Sequence, residues 1–166
     1  VLVPLFRGPS GERRVLLVLR TEAGVHGGQI AFPGGKRDPR DLSLEETAVR
    51  EAHEEVGIAP STVEVLEKLP VVTTLSTRFR IHPFLARVRP INPWRVNRRE
   101  VAEILEVKID DLLEPSVHGE ESWKFPEWPV PRRIRFFRVG EHKLWGATYR
   151  ILQPLLPRIV AGEWEL

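Results

Sequence analysis

Residues 34–58 read GGKRDPRDLSLEETAVREAHEEVGI, and this stretch decides the fold. A glycine pair opens it, acidic residues follow, and then a helical run begins. Ser43 is placed to cap that helix, with Glu46 three residues on as its capping-box partner. Ala48, Val49, Ala52 and Val56 supply apolar faces, and Gly57 is placed to end the run. Helical residues three and four apart share a face. Glu51, Glu54 and Glu55 therefore project their carboxylates to one side. Like charges so close need something positive beside them. Hard divalent cations such as Mg²⁺ prefer carboxylate oxygens. A solvated acidic face balanced by Arg50 would satisfy the same pattern.

Working outward, residues 1–6 and 14–19 read as strands around a Gly8-Pro9-Ser10-Gly11 turn. Residues 29–32 read as a short strand entering Pro33-Gly34-Gly35, where glycine lets backbone approach a ligand closely. Residues 63–72, 79–88, 100–107 and 134–139 read as further strands, and 109–113 as a short helix. Leu144, Thr148, Ile151, Leu152 and Leu155 fall at helical spacing, in a tail that Pro154 and Pro157 kink or end. The expectation is one α/β domain over residues 1–166, with its strands sandwiched between helices as α/β/α layers.

The bulk properties narrow the setting. A chain of 166 residues, 42% hydrophobic and 29% charged, suits one globular domain. There is no cysteine, hence no disulfide, thiolate metal site or cysteine nucleophile. No apolar run approaches the length of a membrane span. The reading is a cytoplasmic protein with no membrane partner. A net charge of +2 is too small to point to nucleic acid. The local basic clusters, such as Arg78 with Arg80, are ordinary solvated surface unless the ligand carries phosphate.

The stretch from Gly35 to Ile58 resembles the Nudix box, G-x5-E-x7-R-E-U-x-E-E-x-G-U with U aliphatic. Here R-E-A-H-E-E-V-G-I fills its second half at residues 50–58, with Ala52 as a small U. Asp41 stands where the first glutamate is expected, and eight residues rather than seven separate it from Arg50. Around the box come VLLVLR (15–20), HGGQIAFPGG (26–35), VVTTLSTRFRIHPF (71–84), NRREVAEILEV (97–107) and LWGATYRIL (144–152). In this order they are similar to the coenzyme A pyrophosphatase branch of that superfamily, in which the one-residue insertion is also typical. One part departs. The branch's upstream signature carries two arginines. Arg20 fits the first, but Gly24 or Val25 falls where the second is expected.

The resemblance implies a Nudix fold and metal-dependent cleavage of a pyrophosphate in a small nucleotide derivative. The metal would be Mg²⁺ or Mn²⁺, held by Glu51 and Glu55 one helical turn apart, with Glu54 and the Gly35 carbonyl as further ligands. Arg50 is expected to pair with an acidic residue of its loop, Asp38 or Asp41. The general base is open between the helix itself and Glu100 or Glu103, for which strand-edge solvation is the plain alternative. Arg20 is the substrate-binding position the motif supports. Arg78, Phe79 and Arg80 could grip phosphate and stack a base, or simply alternate outward charge with inward core. Trp123, Trp128 and Trp145 are expected in the core or in a subunit contact, which leaves room for a homodimer. Coenzyme A or an acyl-coenzyme A is the leading substrate, cut to 3′,5′-ADP and a 4′-phosphopantetheine product. ADP-ribose or a dinucleotide is the alternative, and a non-catalytic nucleotide-binding domain a further one.

Overall fold

The computed structural model describes residues 1–22, 27–75, 77–90 and 93–166. The chain opens with β1 (Leu2–Arg7), β2 (Arg13–Arg20) and the short β3 (Ile30–Ala31), then helix α1 (Leu44–Val56). Strands β4 (Val63–Lys68), β5 (Val72–Thr73), β6 (Arg80–Ile81), β7 (Phe84–Val88) and β8 (Val101–Lys108) follow. A three-stranded antiparallel sheet of β9 (His118–Trp123), β10 (Arg132–Val139) and β11 (His142–Trp145) leads to helices α2 (Gly146–Leu152) and α3 (Leu156–Val160).

The main sheet is mixed. β1 pairs antiparallel with β2 and parallel with β7, and β4 continues it antiparallel to β7. β2 is the hub. β8 runs antiparallel along one of its edges, so β1 and β3 share the other.

Alternation along β2 builds two cores, because successive strand residues face opposite sides of a sheet. Leu16 and Val18 join Leu2, Phe6 and the Ala48, Ala52 and Val56 face of α1. Val15 and Leu17 join Val3, Leu5, Phe137, Leu144 and the buried Ile151, Leu152 and Ile159 of the C-terminal helices. The sheet is thus covered by α1 on one face, and by α2, α3 and part of the second sheet on the other. Each fully buried Leu or Phe contributes roughly 1.5–3 kcal/mol relative to exposure. Small Ala48 and Ala52, both without exposed surface, let α1 lie close on the sheet.

Two strands differ from the sequence reading at a proline, and two more, β9 and β11, stand where no strand was expected, β11 taking Leu144 out of the expected helical tail. The strand expected over 63–72 ends at Lys68, before Leu69-Pro70, and Val72–Thr73 pairs with β6 in a separate ribbon. The strand expected over 79–88 breaks at His82-Pro83, because proline brings no ladder N–H. The C-terminal helix is broken as its prolines led one to expect, into α2, a 3₁₀ turn at Gln153–Leu155 and α3. None of the described helices is long and apolar enough to cross a membrane.

Candidate active site

Helix α1 is locked at both ends. Ser43 Oγ accepts the Glu46 N–H at 3.0 Å. Glu46 returns its carboxylate to the Leu42 N–H at 2.5 Å, one residue before the position a capping box would use. At the other end Gly57, at φ 76°, donates to His53 O, and Ile58 N–H reaches back to Ala52 O. His53 Nδ1 lies 3.2 Å from Ile58 O, a structural contact.

The loop before the helix is held by Arg50. Its guanidinium spans Asp41, with Nε on Oδ1 at 2.9 Å and Nη2 on Oδ2 at 3.0 Å. Asp41 also accepts the Thr47 hydroxyl at 2.8 Å and the Asp38 N–H at 2.9 Å. This pairing answers the question left by the irregular spacing of the box. Asp41 is the loop's anchor, and the extra residue is absorbed without loss of its contact to Arg50. The same guanidinium and these hydrogen bonds hold the Asp41 carboxyl well below the usual range.

The three helix glutamates do not stand equally on one side. At about 100° per residue they fan out across the helix surface. Glu55 is 1% exposed, Glu51 14% and Glu54 52%. Glu54 turns outward to Arg50 Nη1 at 3.1 Å, and Glu51 meets Arg50 Nη2 at 3.0 Å. Glu55 turns inward, where Oε2 accepts the Gly34 N–H at 3.1 Å and Oε1 lies 3.5 Å from Arg20 Nη1. Among the described residues, no three acidic or histidine side chains already converge on one point; Glu51 and Glu54 share Arg50, and Glu55 is held by Arg20 and the Gly34 N–H.

Gly35 stands against Glu51. A Cβ at that position would fall 2.5 Å from the Glu51 carboxyl carbon, so only glycine permits this approach. Glu100 also belongs here. Its Oε1 accepts from Asn97 Nδ2 at 2.8 Å, while the Asn97 N–H donates to Glu55 O at 2.9 Å. Its carbonyl accepts from the Thr21 N–H at 3.0 Å, tying the residue after Arg20 to the same corner. Burial, and then the charges of Glu100 and Glu51, push Glu55 from 4.5 up to about 7, against the pull of Gly34 N–H and Arg20. Glu51 is raised by burial first, with Glu54 and Glu100 adding to it and Arg50 opposing. Glu103 lies apart from this group, with Oε2 4.0 Å from His142 Nε2.

Arg78, Phe79 and Arg80 are exposed on the β5–β6 ribbon and not in the core. Its tip is closed by Thr74, whose N–H donates to Phe79 O and whose hydroxyl accepts from Phe79 N–H. Arg78 adopts a left-handed φ of 55°. Lys36, next to Gly35, brings this tip to the loop, with Nζ 5.7 Å from the Phe79 ring centroid. Sequence reasoning missed Lys36 and Asn97. Both contacts depend on folded loops, and only the position of Lys36 beside Gly35 could have signalled one of them. Trp128 is buried with its ring edge-on to Phe125, and Phe125 packs in turn against Trp123 and Trp145, with ring centroids 4.8–6.1 Å apart, an aromatic cluster beside the second sheet. Gly24 and Val25, the positions of the missing second arginine, lie outside the described residues.

The NUDIX domain family model matches residues 1–128. The chain belongs to the Nudix family. Nudix hydrolase NudL of Salmonella paratyphi B, itself uncharacterized, is 36% identical over 165 residues, covering 96% of this chain and 81% of that protein. Among solved structures, the Nudix hydrolase RenU of M. smegmatis aligns with a TM-score of 0.65 at 23% identity, over 99% of this chain and 85% of that one. The NUDIX domain of Shewanella oneidensis NrtR, solved with ADP ribose, aligns at 0.52 and 22% identity, over 68% and 72%. At such identities the likeness is one of fold. This Nudix hydrolase acts on a pyrophosphate linkage in a nucleotide derivative, within a family that uses divalent ions such as Mg²⁺ or Mn²⁺. The residues present fit such an ion. Glu51 and Glu55 offer hard carboxylate oxygens of the kind such ions prefer; burial and neighbouring acids raise both, and their present partners are Arg50, Arg20 and the Gly34 N–H.

Proposed function

We propose that this Nudix hydrolase cleaves the pyrophosphate of coenzyme A or an acyl-coenzyme A, releasing 3′,5′-ADP and a 4′-phosphopantetheine product. The observation that carries this reading is the contact between Lys36 and Phe79. It brings an exposed aromatic ring, flanked by Arg78 and Arg80, to the rim of the Gly34-Gly35 loop. A nucleotide with an extra phosphate on its ribose calls for such a set. The ring face takes the base, and surplus cations take the additional phosphate. The branch-like segments before and after the box support the same assignment.

In this reading Glu51 and Glu55 hold Mg²⁺ or Mn²⁺, with Glu54 and the Gly35 carbonyl completing the set. When bound, the ion neutralises pyrophosphate oxygens and lowers the pKa of the attacking water. The chain's own residues do the rest. Glu100 keeps Oε1 on Asn97 and uses its other oxygen as general base. As water attacks phosphorus, its proton passes to Glu100, the new P–O bond forms and the bridging P–O bond breaks. The departing phosphate keeps the electron pair. Arg20 contacts a substrate phosphate. Arg50 stays with Asp41, Glu51, Glu54 and the Lys36 carbonyl, and orders the loop.

The test compares coenzyme A with dephospho-coenzyme A in the presence of Mg²⁺ or Mn²⁺. The expected result is a higher kcat/KM for coenzyme A, erased by Arg78→Gln or Arg80→Gln. Equal values in the unsubstituted enzyme would remove the 3′-phosphate site from the argument. A second reading, hydrolysis of ADP-ribose or a dinucleotide, is favoured by the missing second arginine. Strong preference for ADP-ribose in the same panel would establish it.

A further inference from the structure

Arg20 is aimed inward, at a carboxylate, although it lies on the last residue of a strand. Three backbone contacts fix it there. Its N–H donates to Gln29 O at 3.0 Å, its carbonyl accepts from Gly28 N–H at 3.1 Å, and the next N–H goes to Glu100 O at 3.0 Å. The pairing of β2 with β8 shifts register between Leu19 and Arg20, a bulge of the kind that re-aims a side chain. The guanidinium then ends 3.5 Å from Glu55 Oε1, while Glu55 Oε2 is already taken by Gly34 N–H. A charge-assisted hydrogen bond normally spans roughly 2.7–2.9 Å. The Arg20 contact is longer, and Arg20 is still 32% exposed on its outer side. It is a loose ion pair that can be exchanged.

We infer that Arg20 is an exchangeable counter-ion, which neutralises Glu55 while no divalent ion is bound and turns to the substrate's phosphate once one is. The inference rests on the reading of Glu55 as a metal ligand. Glu55 Oε1 cannot serve a metal ion and the guanidinium fully at once, so the ion must weaken this pair to bind. Arg20 therefore lowers metal affinity in the free enzyme. Released, it has an uncompensated charge at the mouth of the site, where the phosphate arrives. Metal and phosphate binding are thereby coupled through one side chain, and coupling of this kind is reciprocal.

The experiment is calorimetric titration without turnover, using Mn²⁺ alone and then 3′,5′-ADP with and without Mn²⁺. Arg20→Gln removes the charge at a partly exposed position. Arg99→Gln is the control, because it removes a nearby charge that touches no carboxylate among the described residues. Arg20→Gln should bind Mn²⁺ about fivefold more tightly than the unsubstituted protein, the scale of a partly exposed ion pair. Arg99→Gln should stay within about twofold. Mn²⁺ should strengthen 3′,5′-ADP binding in the unsubstituted protein, and Arg20→Gln should cut that enhancement about fivefold. Arg20→Lys, a milder change should Arg20→Gln not fold, should move both values in the same direction by less. Unchanged Mn²⁺ affinity, or an enhancement that survives Arg20→Gln, would overturn the inference and leave the metal assignment standing. No Mn²⁺ binding to the unsubstituted protein would overturn both, and Glu55→Gln would then bind nucleotide as the unsubstituted protein does.

Discussion

Glu55→Gln should make the metal-free protein more stable at neutral pH while abolishing most of its activity. The carboxyl is 1% exposed, and burial raises it from 4.5 to about 7. The folded state therefore holds this proton more tightly than the unfolded chain does. Stability is lost as pH rises from about 4.5 to about 7, and the full cost is present above that. At about 1.4 kcal/mol per pH unit, keeping this carboxylate charged costs about 3 kcal/mol. Glutamine keeps an oxygen for Gly34 N–H but turns an amide group toward Arg20. An imperfectly satisfied amide returns about 1 kcal/mol of that gain, so the net gain is about 2 kcal/mol.

Urea unfolding in EDTA at pH 8 and at pH 4.5 tests this. At pH 8 the variant should be more stable by about 2 kcal/mol, or roughly 4–8 °C in Tm. At pH 4.5, where Glu55 is protonated in the folded state, the gain should disappear. Comparing variant with parent at each pH cancels the other titrating groups. Saturating Mg²⁺ or Mn²⁺ should reverse the order, since ligand at 100 times its Kd stabilises by about 2.7 kcal/mol and only the parent keeps the full donor set. Turnover should fall by at least ~10²-fold. A variant less stable than its parent at pH 8, or equally shifted at both pH values, would refute the account of Glu55 as a buried, strained carboxylate.

Gly35→Ala would push the Glu51 carboxyl aside, since the new methyl falls 2.5 Å from its carbon. Steady-state kinetics should show a loss of ~10²-fold, the usual cost of a misplacement of about 1 Å, with Tm little changed. Arg50→Ala takes the guanidinium away from the 5%-exposed Asp41, which keeps only the Thr47 hydroxyl and the Asp38 N–H, and should lower the denaturant midpoint of unfolding. Because Asp41 is held below its ordinary value, its contribution is complete above the normal carboxylate range and is lost as pH falls through the depressed value. An acid titration of Asp41→Asn should therefore lack that limb of the parent's curve. Glu100→Gln should lower kcat by ~10²–10⁴-fold with KM nearly unchanged, the signature of a lost general base; a change in KM alone would return Glu100 to a solvation role.

The fold was legible because its defining stretch is local. The cap at Ser43, the stop at Gly57 and the spacing of Glu51, Glu54 and Glu55 are all set within one helix. The β1–β2 hairpin was readable for the same reason. Two errors fell where a proline divides one run of strand-forming residues between two sheets, and two more at β9 and β11, whose polar residues form strands only by pairing with β10. Pro70 and Pro83 were visible, but the separate β5–β6 ribbon is a tertiary pairing that composition does not report.

The candidate site divides along the same line. Motif spacing marks the residues that supply oxygens, but not which charge stands opposite each of them. Arg50 was a fair guess for the box because its partner Asp41 is nine residues away, but Arg20 meets Glu55 across 35 residues. Glu100 joins through Asn97, which opens the segment 97–107, and through Thr21, but the hydrogen bonds that bring them to Glu55 and Arg20 are tertiary. Lys36 meets Phe79 only because the ribbon folds back over the Gly34-Gly35 loop. The helix glutamates fan from buried to exposed, and the arginines opposite them follow that order. Arg50 holds the exposed Glu54 and the intermediate Glu51 in short contacts, while Arg20 holds the buried Glu55 in a long one. The carboxylate most costly to keep charged therefore has the weakest cationic partner. Such an arrangement favours any cation that can reach Glu55 with a shorter bond than a guanidinium at 3.5 Å, which a small divalent ion at roughly 2.0–2.1 Å does.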